Sequence, residues 1–543
     1  MKDRLLLIVL LIFSSLAGQS QTKMAPFMNL QRIPDAITVQ TSSSVVSLLF
    51  KNQQWQAAGI VVKTVNKNNR LSIELASPSK AIKNLYIKWN VQPAAEMLYL
   101  GDAWERAYGN LKWQPLDTTR VMPWYFMASN KSETHGYGVM TSPSAMCSWR
   151  ITTREVILRA DVRSGGVGVV LGNRKLNVCT LISRKGLNGE TPFTATRLFC
   201  KQMCPNPRLP KQPVYGFNDW YCDYGNNSAE SVRYYATFVA RLAPAGPNRP
   251  YMVIDDGWQV KGGGTGQGGP WDNSNAKFPS MSQLATDIKQ LNVHPGIWVH
   301  LLTAQKDHPL SWRLQGDTSI LDISRPEVRQ YVIRLMKNFR KWGYELIKHD
   351  YSTADISGSW GKSGGAADTA TWAFSDRTRT TAEIITDHYR SIREGGGDAI
   401  ILGCNTIGHL AAGIFEIDRI GDDTSGREWA RTLKMGVNCL AFRGPQNDAF
   451  FAADADCVGL SKPDAIPWSL NSQWLQLVSQ SGTPLFISFK KGSVTPEQEQ
   501  VIKTALFNAS RKQPLAEPLD WFETLQPTKW RLMGKEVTFN WKL

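Results

Sequence analysis

Short apolar runs alternate with longer helix-like stretches between Val214 and Phe489, and this alternation limits the possible folds more than any other feature of the sequence. Eight runs have the β-branched and aromatic composition of buried strands: VYGFNDWY, YMVIDD, PGIWVH, YELIKHD, AIILGCN, IFEIDRI, CLAF and PLFISF. Stretches between them, such as SAESVRYYATFVARL and PEVRQYVIRLMKNFRKW, have the periodicity of amphipathic helices. Repeated strand–helix units predict an α/β fold, a (β/α)8 TIM barrel over residues 206–491.

The regions on either side of the barrel differ from it in composition. Residues 21–205 contain short β-branched or aromatic runs, including AITVQ, AAGIVVKTV and NLYIKWNV, which predict an N-terminal antiparallel β-sandwich domain. The proline-marked stretch KQMCPNPRLPKQP reads as the linker to the barrel. Residues 492–543 hold one helix-like segment and then short strand-like runs, so we expect a small C-terminal β domain.

The N-terminal residues, MKDRLLLIVLLIFSSLAGQSQ, combine a basic start, an apolar run and small residues. This is the pattern of a cleavable secretory signal peptide, which we place at residues 1–20, and it predicts a secreted or periplasmic protein. The sequence has no second long apolar segment, so we expect no membrane partner. The formal net charge is +16, but Lys and Arg are scattered without a basic block, which argues against a nucleic-acid partner.

The spacing of cysteine and histidine gives no indication of a metal site. The eight cysteines form no paired CxxC motifs and the seven histidines are scattered. We therefore expect neither a metal nor a cofactor. Export permits disulfides, but the spacing does not determine which cysteines pair or whether several are buried thiols.

Acidic and other polar residues recur where the predicted barrel strands end, and strand ends converge on one mouth of a barrel. They are Asn218 and Trp220 on strand one, Asp255 and Asp256 after strand two, Trp298 on strand three, Asp350 after strand four, Asn405 after strand five, and Asp422 and Asp423 after strand six. Two carboxyl groups in different protonation states across a substrate are what a glycosidase needs. Each aspartate alone has a simpler interpretation, as a helix cap or as the ion-pair partner of Lys348 or Arg419.

Three of these segments, YMVIDDGW, ELIKHDY and DRIGDDTSGREW, resemble motifs of the retaining α-galactosidases, glycoside hydrolase families 27 and 36 of clan D. The stretch from WDNSNAKFPS to PGIWVH is similar to the family pattern around strand three. The resemblance covers the barrel and is weaker outside it. The N-terminal sandwich and the short C-terminal β-part make family 36 the better match.

The resemblance implies a role for each matched residue. Asp350 matches the nucleophile and Asp423 the acid/base, with the adjacent Asp422 as the alternative. The implied substrate contacts are Asp255 and Asp256 to the 4- and 6-hydroxyls, Lys348 to neighbouring ring hydroxyls, Arg419 near the 2-hydroxyl, Trp220, Trp258 and Trp298 as pocket wall, and Asn405 and Asp422 at the mouth. For each tryptophan, simple core packing is the other interpretation. The sandwich segment GDAWERAYG, with Asp102, Trp104 and Glu105, is expected to reach the mouth.

The implied activity is that of an exported retaining α-glycosidase, with α-galactosidase as the leading assignment. Its partner would be an oligosaccharide or polysaccharide with terminal α-linked galactose. The sequence GIWVHLL in place of a WFEPE-like segment, and Tyr351 and Ser352 after the nucleophile, depart from the family pattern. Other clan D activities therefore stay open, namely α-N-acetylgalactosaminidase, β-L-arabinopyranosidase and α-glucosidase, together with a raffinose-synthase-like transglycosylase and a non-catalytic sugar-binding protein. The sequence determines neither the linkage nor the oligomeric state.

Overall fold

Five β-sheets form the framework of the computed structural model, which describes residues 27–260, 268–352 and 372–542. Two large antiparallel sheets come first in the chain, a parallel sheet of nine strand segments follows, and two small antiparallel sheets complete the set. The predicted α/β fold, a barrel preceded by a β-sandwich, is confirmed. The predicted signal peptide lies outside the described residues.

The sandwich consists of a six-stranded and an eight-stranded sheet. In spatial order the first contains Val45–Ser47, Ala36–Thr41, Ile82–Asn90, Glu155–Asp161, Met146–Ile151 and Met122–Pro123. The second contains Leu49–Lys51, Gln54–Ala57, Ile60–Lys67, Arg70–Ala76, Leu176–Arg184, Thr134–Val139, Tyr125–Ser129 and Leu98–Gly101. Burial alternates along strands such as Ala36–Thr41, because successive side chains point to opposite faces of a sheet. The inward side chains, among them the neighbouring Trp89 and Trp149, form the sandwich core.

The parallel sheet is the predicted barrel. In spatial order it contains Ala452–Asp454, Ile417–Arg419, Ile400–Gly403, Leu346–His349, His294–Val299, Tyr251–Ile254, Tyr215–Asn218, Leu485–Phe489 and Val458–Leu460. The two end segments are separated by only residues 455–457 and are two halves of one strand. The first half pairs with strand six and the second half with strand eight, so the ring closes through this interruption.

The seventh barrel strand is not where the sequence predicted it. The run CLAF belongs to a helix, Cys439–Arg443, so the prediction of a strand there is wrong. Periodicity does not distinguish a short buried strand from a buried helical segment, and every residue of this helix is buried. The split strand takes its place, and each of its halves has only three residues.

Helices connect the barrel strands and cover the outside of the barrel. The α-helices are Pro192–Met203, Trp220–Asp223, Ala229–Leu242, Met281–Gln290, Pro326–Trp342, Thr381–Gly396, Gly408–Ala411, Trp429–Arg431, Cys439–Arg443, Trp468–Ser479 and Pro496–Ala509, with short 3₁₀ turns at Leu310–Trp312 and Gly444–Gln446 and a π-helical segment at Thr432–Asn438. Ser228 and Thr380 cap two of them by accepting a hydrogen bond from the N–H of the third helical residue. In the described part of the chain, none of the helices has the length and apolarity needed to cross a membrane.

The fold also contains two small antiparallel sheets and eight cysteines. A hairpin pairs Arg313–Leu314 with Asp317–Leu321, and the C-terminal sheet consists of Glu517–Pro518, Lys529–Leu532 and Lys535–Thr538. All eight cysteines lie within the described residues, and each is a buried free thiol. Of the two expectations for the cysteines, disulfides and buried thiols, the structure therefore has the second.

A loop of the sandwich lies against the barrel mouth and carries sandwich residues to it. Ala107 N–H donates to the carbonyl of Ile420 (2.9 Å), and Asp422 N–H donates to the carbonyl of Ala107 (3.2 Å). Arg443 Nη1 donates to the carbonyls of Glu105 and Ile420, at 2.7 and 3.0 Å. These main-chain bonds hold the loop directly beside the segment that follows strand six.

Candidate active site

A pocket at the carboxyl ends of the barrel strands, which we call the acidic pocket, encloses about 390 Å³ of atom-free space counted out to its mouth. It is lined by Asn218, Trp220, Tyr221, Asp255, Asp256, Trp298, Lys348, Asp350, Tyr351, Arg419, Asp423, Asp456 and Cys457. Strand ends of a barrel converge on this face, so residues far apart in the sequence meet here. Of the eleven residues with an implied role, Trp258, Asn405 and Asp422 do not line the acidic pocket.

Asp350 directly follows the fourth barrel strand, and its carboxylate accepts hydrogen bonds from two donors. The indole N–H of Trp298 donates to Oδ2 (3.2 Å) and the backbone N–H of Tyr351 donates to Oδ1 (2.7 Å). Burial alone would raise the pKa of this carboxyl. The positive charges of Arg106 and Lys348, together with the two hydrogen bonds, outweigh burial and leave the pKa of Asp350 below its ordinary value. The group is therefore ionised at neutral pH.

Tyr351, whose N–H donates to Asp350, lies in a strained turn. Tyr351 has a φ of +63°, in the left-handed region that costs a non-glycine residue roughly 1 kcal/mol. Its ring stacks on His300, with centroids 4.6 Å apart and planes at 26°. Such backbone strain persists only where surrounding contacts compensate for it, and it is common at functional sites.

Asp423, after strand six, has the opposite protonation behaviour. Burial within the protein and the neighbouring negative charge of Asp456 raise the pKa of Asp423 to about 6, although Arg419 and Arg106 act in the other direction. Its side chain is 42% exposed through the pocket, so it can exchange protons with solvent. A carboxyl group that keeps its proton at mildly acidic pH can act as a general acid.

Arg419 organises the acids on this side of the pocket. Its buried guanidinium lies 3.3 Å from Asp423, 2.9 Å from Asp454 and 2.7 Å from Asp456. The ion pair with Asp423 that the sequence allowed is thus one of three. Because the guanidinium is shared among three carboxylates, it neutralises Asp423 only in part.

Asp456 is a site residue that the sequence analysis missed. It occupies the interruption of the split seventh strand with a φ of +73°. Tyr221 O–H donates to its Oδ2, as do the N–H (2.7 Å) and O–H (3.0 Å) of Thr424. Burial would raise the pKa of Asp456, but Arg419 and these donors lower it. The repeated acids in FFAADADCVGL were the available signal, and the misplaced strand concealed it.

Asp255 belongs to a buried network at the floor of the acidic pocket. Lys348 Nζ and Asn218 Nδ2 both donate to Asp255 Oδ2, each at 2.7 Å. Lys348 therefore pairs with Asp255, in place of the simple ion pair with Asp350 that the sequence allowed. Burial would lower the pKa of Lys348, but the Asp255 charge reverses this and keeps the ammonium protonated. Beside it, the carboxylate of Asp256 lines the same cavity.

Arg106 is the second site residue that the sequence analysis missed, although the quoted loop GDAWERAYG contains it. Its Nη2 lies 3.2 Å from Asp422 Oδ1, and Arg431 Nη2 lies 2.9 Å from the other oxygen. Asp422 is thus engaged by two arginines outside the acidic pocket, whereas Asp423 lines it. Of the two adjacent aspartates, Asp423 is the one that lines the acidic pocket.

Trp258 does not form pocket wall, which corrects one sequence expectation. Its side chain is fully buried, packed edge-on against Trp271, Phe339 and Trp342. Its indole N–H donates to the carbonyl of Trp298 at 2.9 Å. A large apolar ring with one satisfied N–H belongs in a core, and here it supports the strand that carries the pocket-lining Trp298.

Asn405 is likewise a support residue. It is buried, and its Nδ2 donates to Glu105 Oε2 at 2.8 Å. Glu105 therefore reaches the barrel, whereas Asp102 lies deeper in the interface and pairs with Arg443 at 2.9 Å. Trp104 packs edge-on against another buried tryptophan of the sandwich. In the described residues, no group of three or more His, Cys, Asp or Glu side chains has an arrangement suited to a metal ion.

Comparison with known proteins adds information on the fold. No family model matches the sequence. The structure is similar to that of an α-galactosidase from Thermus thermophilus in complex with p-nitrophenyl α-D-galactopyranoside, with a TM-score of 0.59, 15% identity, and coverage of 93% of this chain and 99% of that one. The structure is also similar to that of a family 36 α-galactosidase from Geobacillus stearothermophilus in complex with 1-deoxygalactonojirimycin. The TM-score is 0.59 and the sequence identity 13%, and the match covers 87% of this chain and 74% of that one. For the α-galactosidase of Lactobacillus brevis, the TM-score is 0.57 and the sequence identity 12%, and the match covers 87% of this chain and 72% of that one. The chain thus has the fold of solved family 36 α-galactosidases, which is the fold that the resemblance of its motifs predicted.

Proposed function

We propose that the protein is a retaining α-glycosidase that removes terminal α-linked galactose from an oligosaccharide or polysaccharide. The observation that carries the proposal is the pair of acids, Asp350 and Asp423, which line one pocket with pKa values moved in opposite directions. Environments that separate the pKa values of two carboxyl groups assign the roles of nucleophile and acid. Solved structures of the same fold contain p-nitrophenyl α-galactoside, stachyose and raffinose, which supports a galactoside as the substrate.

In the first step, the ionised Asp350 attacks the anomeric carbon and forms a glycosyl ester. The bond from that carbon to the leaving oxygen breaks, and Asp423 transfers its proton to that oxygen. In the second step, Asp423 takes a proton from water, the water oxygen attacks the anomeric carbon, and Asp350 leaves as a carboxylate. Two inversions give net retention, and this mechanism requires the two carboxyl groups to be about 5 Å apart.

The floor of the acidic pocket supplies the groups that orient the sugar. Asp255 and Asp256 follow one another in the chain and offer adjacent acceptors for two neighbouring hydroxyls, the 4- and 6-hydroxyls of galactose. Lys348 can donate to a ring hydroxyl while it holds Asp255 in place.

The decisive experiment combines stereochemistry with chemical rescue. Proton NMR during hydrolysis of p-nitrophenyl α-D-galactopyranoside should show the α-anomer of galactose before mutarotation. Asp350→Ala should lose turnover by about 10⁴-fold or more, as removal of a catalytic nucleophile does, and azide should restore turnover with β-galactosyl azide as product. Asp398→Asn, which changes an exposed aspartate at the other end of the barrel, is the matched control.

Two results would exclude the proposal. One is that β-galactose is the anomer formed before mutarotation, and the other is undiminished turnover by a correctly folded Asp350→Ala variant. The same assay with α-N-acetylgalactosaminide, β-L-arabinopyranoside and α-glucoside tests the other clan D activities. A high concentration of acceptor sugar tests transfer in place of hydrolysis. We also propose that the protein is exported, on the strength of the N-terminal signal pattern, and N-terminal sequencing of the mature protein tests this.

A further inference from the structure

The main-chain ladder between barrel strands one and two ends just before the floor of the acidic pocket. Asn218 and Val253 form the last register pair, and the N–H of Asp219 donates to the carbonyl of Val253 at 3.3 Å. The chain of strand one then turns into the short helix Trp220–Asp223. Asp255 lies two residues beyond Val253, so its main-chain groups lie past the end of this ladder.

The side chain of Asp219 continues the connection where the ladder ends. It is buried, with 1% exposed, and its Oδ1 accepts the N–H of Asp255 at 2.7 Å. Its Oδ2 accepts a hydrogen bond from Asn227 Nδ2 at 3.1 Å. The same amide donates to the carbonyl of Asp255 at 3.2 Å. Asp219 and Asn227 therefore hold both main-chain polar groups of Asp255.

Asn227 is fixed in turn by close packing. Its side chain is buried, and Gly257 approaches it so closely that a Cβ at position 257 would lie 2.2 Å from Asn227 Oδ1. Gly257 also has a φ of +125°, which glycine adopts at little cost. The glycine after the paired aspartates therefore leaves the space that the Asn227 amide needs beside the main chain of Asp255.

The carboxylate of Asp255 has little acceptor capacity left for a ligand. Within the described residues, Lys348 Nζ and Asn218 Nδ2 donate to its Oδ2, and the N–H of Asp256 donates to its Oδ1 at 3.0 Å. An ionised carboxylate has about four acceptor positions. These three donors leave about one position, on Oδ1, for a sugar hydroxyl. Hydrogen bonds weaken steeply as their angle departs from linearity, so the direction of this position depends on how the main chain of Asp255 is held.

We propose that Asp219 is a positioning residue for sugar recognition. Through the main chain of Asp255 it sets the direction of the remaining acceptor position, which selects a substrate with an axial 4-hydroxyl. Asn227 assists by holding the carbonyl of Asp255 and the second oxygen of Asp219. Asp219 does not line the acidic pocket, so it acts through Asp255 and not by contact with the sugar. This inference rests on the proposed function.

The test compares p-nitrophenyl α-D-galactopyranoside with its 4-deoxy analogue, which lacks the hydroxyl assigned to Asp255. The measured quantity is the ratio of kcat/KM for the first substrate to that for the second. For Asp219→Ala this ratio should fall about 10-fold, as expected when a hydrogen bond to a charged acceptor is weakened. Asp219→Asn keeps an oxygen for the N–H of Asp255 but loses the acceptor for Asn227, so its ratio should fall less. Asn227→Ala should also lower the ratio.

Asp520→Ala is the matched control. Asp520 is also a buried aspartate, and its two carboxylate oxygens accept the N–H groups of Thr528 at 3.1 Å and Lys529 at 3.2 Å, beside the C-terminal sheet. The substitution removes the same kind of bond from side chain to main chain, but away from the acidic pocket. A loss of stability alone should therefore leave the ratio unchanged.

Each outcome decides the question. A lower ratio for Asp219→Ala and Asn227→Ala, with an unchanged ratio for Asp520→Ala, supports the positioning role. Equal losses of kcat/KM on the two substrates overturn it, because they indicate a purely structural role, while turnover of the galactoside by the wild type leaves the proposed function standing. If Asp219→Ala does not fold, Asp219→Asn and Asn227→Ala decide in the same way. A fall seen only with the 6-deoxy analogue overturns the selection of the 4-hydroxyl. Absence of any glycosidase turnover in the wild type overturns both proposals together.

Discussion

Replacing Arg106 by methionine should move the whole pH profile of the proposed enzyme to higher pH. The rising limb of kcat/KM reports ionisation of Asp350, whose pKa lies below its ordinary value, and the falling limb reports loss of the proton of Asp423, whose pKa is about 6. The guanidinium of Arg106 lowers the pKa of both groups. Without it, Asp350 ionises only at higher pH and Asp423 keeps its proton to higher pH, so both limbs move in the same direction.

The size of the effect follows from the position of the guanidinium. Arg106 Nη2 lies 3.2 Å from Asp422, and Asp423 is the next residue. Consecutive Cα atoms are about 3.8 Å apart, so we take a charge separation of roughly 7 Å. At an effective dielectric constant of about 20, two unit charges at that distance interact by about 2.4 kcal/mol. Asp423 is 42% exposed, so solvent screening reduces this. A remainder of about 1 kcal/mol moves the falling limb upward by somewhat less than one pH unit.

The assay is kcat/KM for p-nitrophenyl α-D-galactopyranoside from about pH 3 to 9, at constant ionic strength because salt screens exposed charges. Arg431→Met is the control, since Arg431 contacts the same Asp422 at 2.9 Å but from the more exposed side. The electrostatic reasoning fails if Arg106→Met leaves the profile in place or moves it to lower pH. It also fails if both variants move the profile equally, because the effect would then act through Asp422.

Three further predictions follow from the site and the core. Asp423→Gly should slow hydrolysis of raffinose far more than that of a dinitrophenyl galactoside, whose leaving group needs no proton, and equal losses on the two substrates would argue against the acid role. Trp258→Ala should lower the free energy of unfolding in urea by about 3–5 kcal/mol, because it empties a fully buried site. Trp220→Ala should chiefly raise KM. The opposite pattern would indicate that Trp258 forms part of the pocket wall. Since all eight cysteines are buried free thiols, dithiothreitol should leave Tm unchanged and Ellman's reagent should react with eight thiols only after denaturation; a lower Tm under reducing conditions would indicate disulfides.

The sequence was most informative where residues near in the chain act together. The run YMVIDD carries its own strand composition and its two acceptors, so both the strand and the adjacent carboxylates, Asp255 and Asp256, were readable. The end of strand four was readable for the same reason, with Lys348 and Asp350. In each case the pattern extends over a few residues, and the barrel geometry then directs strand ends to one face.

Interpretation failed where the outcome depended on residues that are distant in the chain. The backbone of CLAF forms hydrogen bonds within a helix, whereas the split seventh strand pairs with strands six and eight. The composition of a short apolar run does not predict which of these two hydrogen-bonding patterns it adopts. The misplaced strand concealed Asp456, whose charge helps to keep the proton on Asp423. Trp258 lies two residues after Asp256, yet its ring packs in the core against other aromatic rings.

By itself, then, the sequence determined the barrel, the sandwich before it and the aspartates at the strand ends, because periodicity and strand composition are local properties. Only the tertiary structure decided which of the neighbouring acids, Asp422 or Asp423, lines the acidic pocket, and which of them is engaged by Arg106 from the sandwich. It also decided the directions in which the pKa values of Asp350 and Asp423 are moved. A pKa depends on burial and on all charges within several ångströms, and the residues that supply them here come from strands four, six and seven and from a loop of another domain.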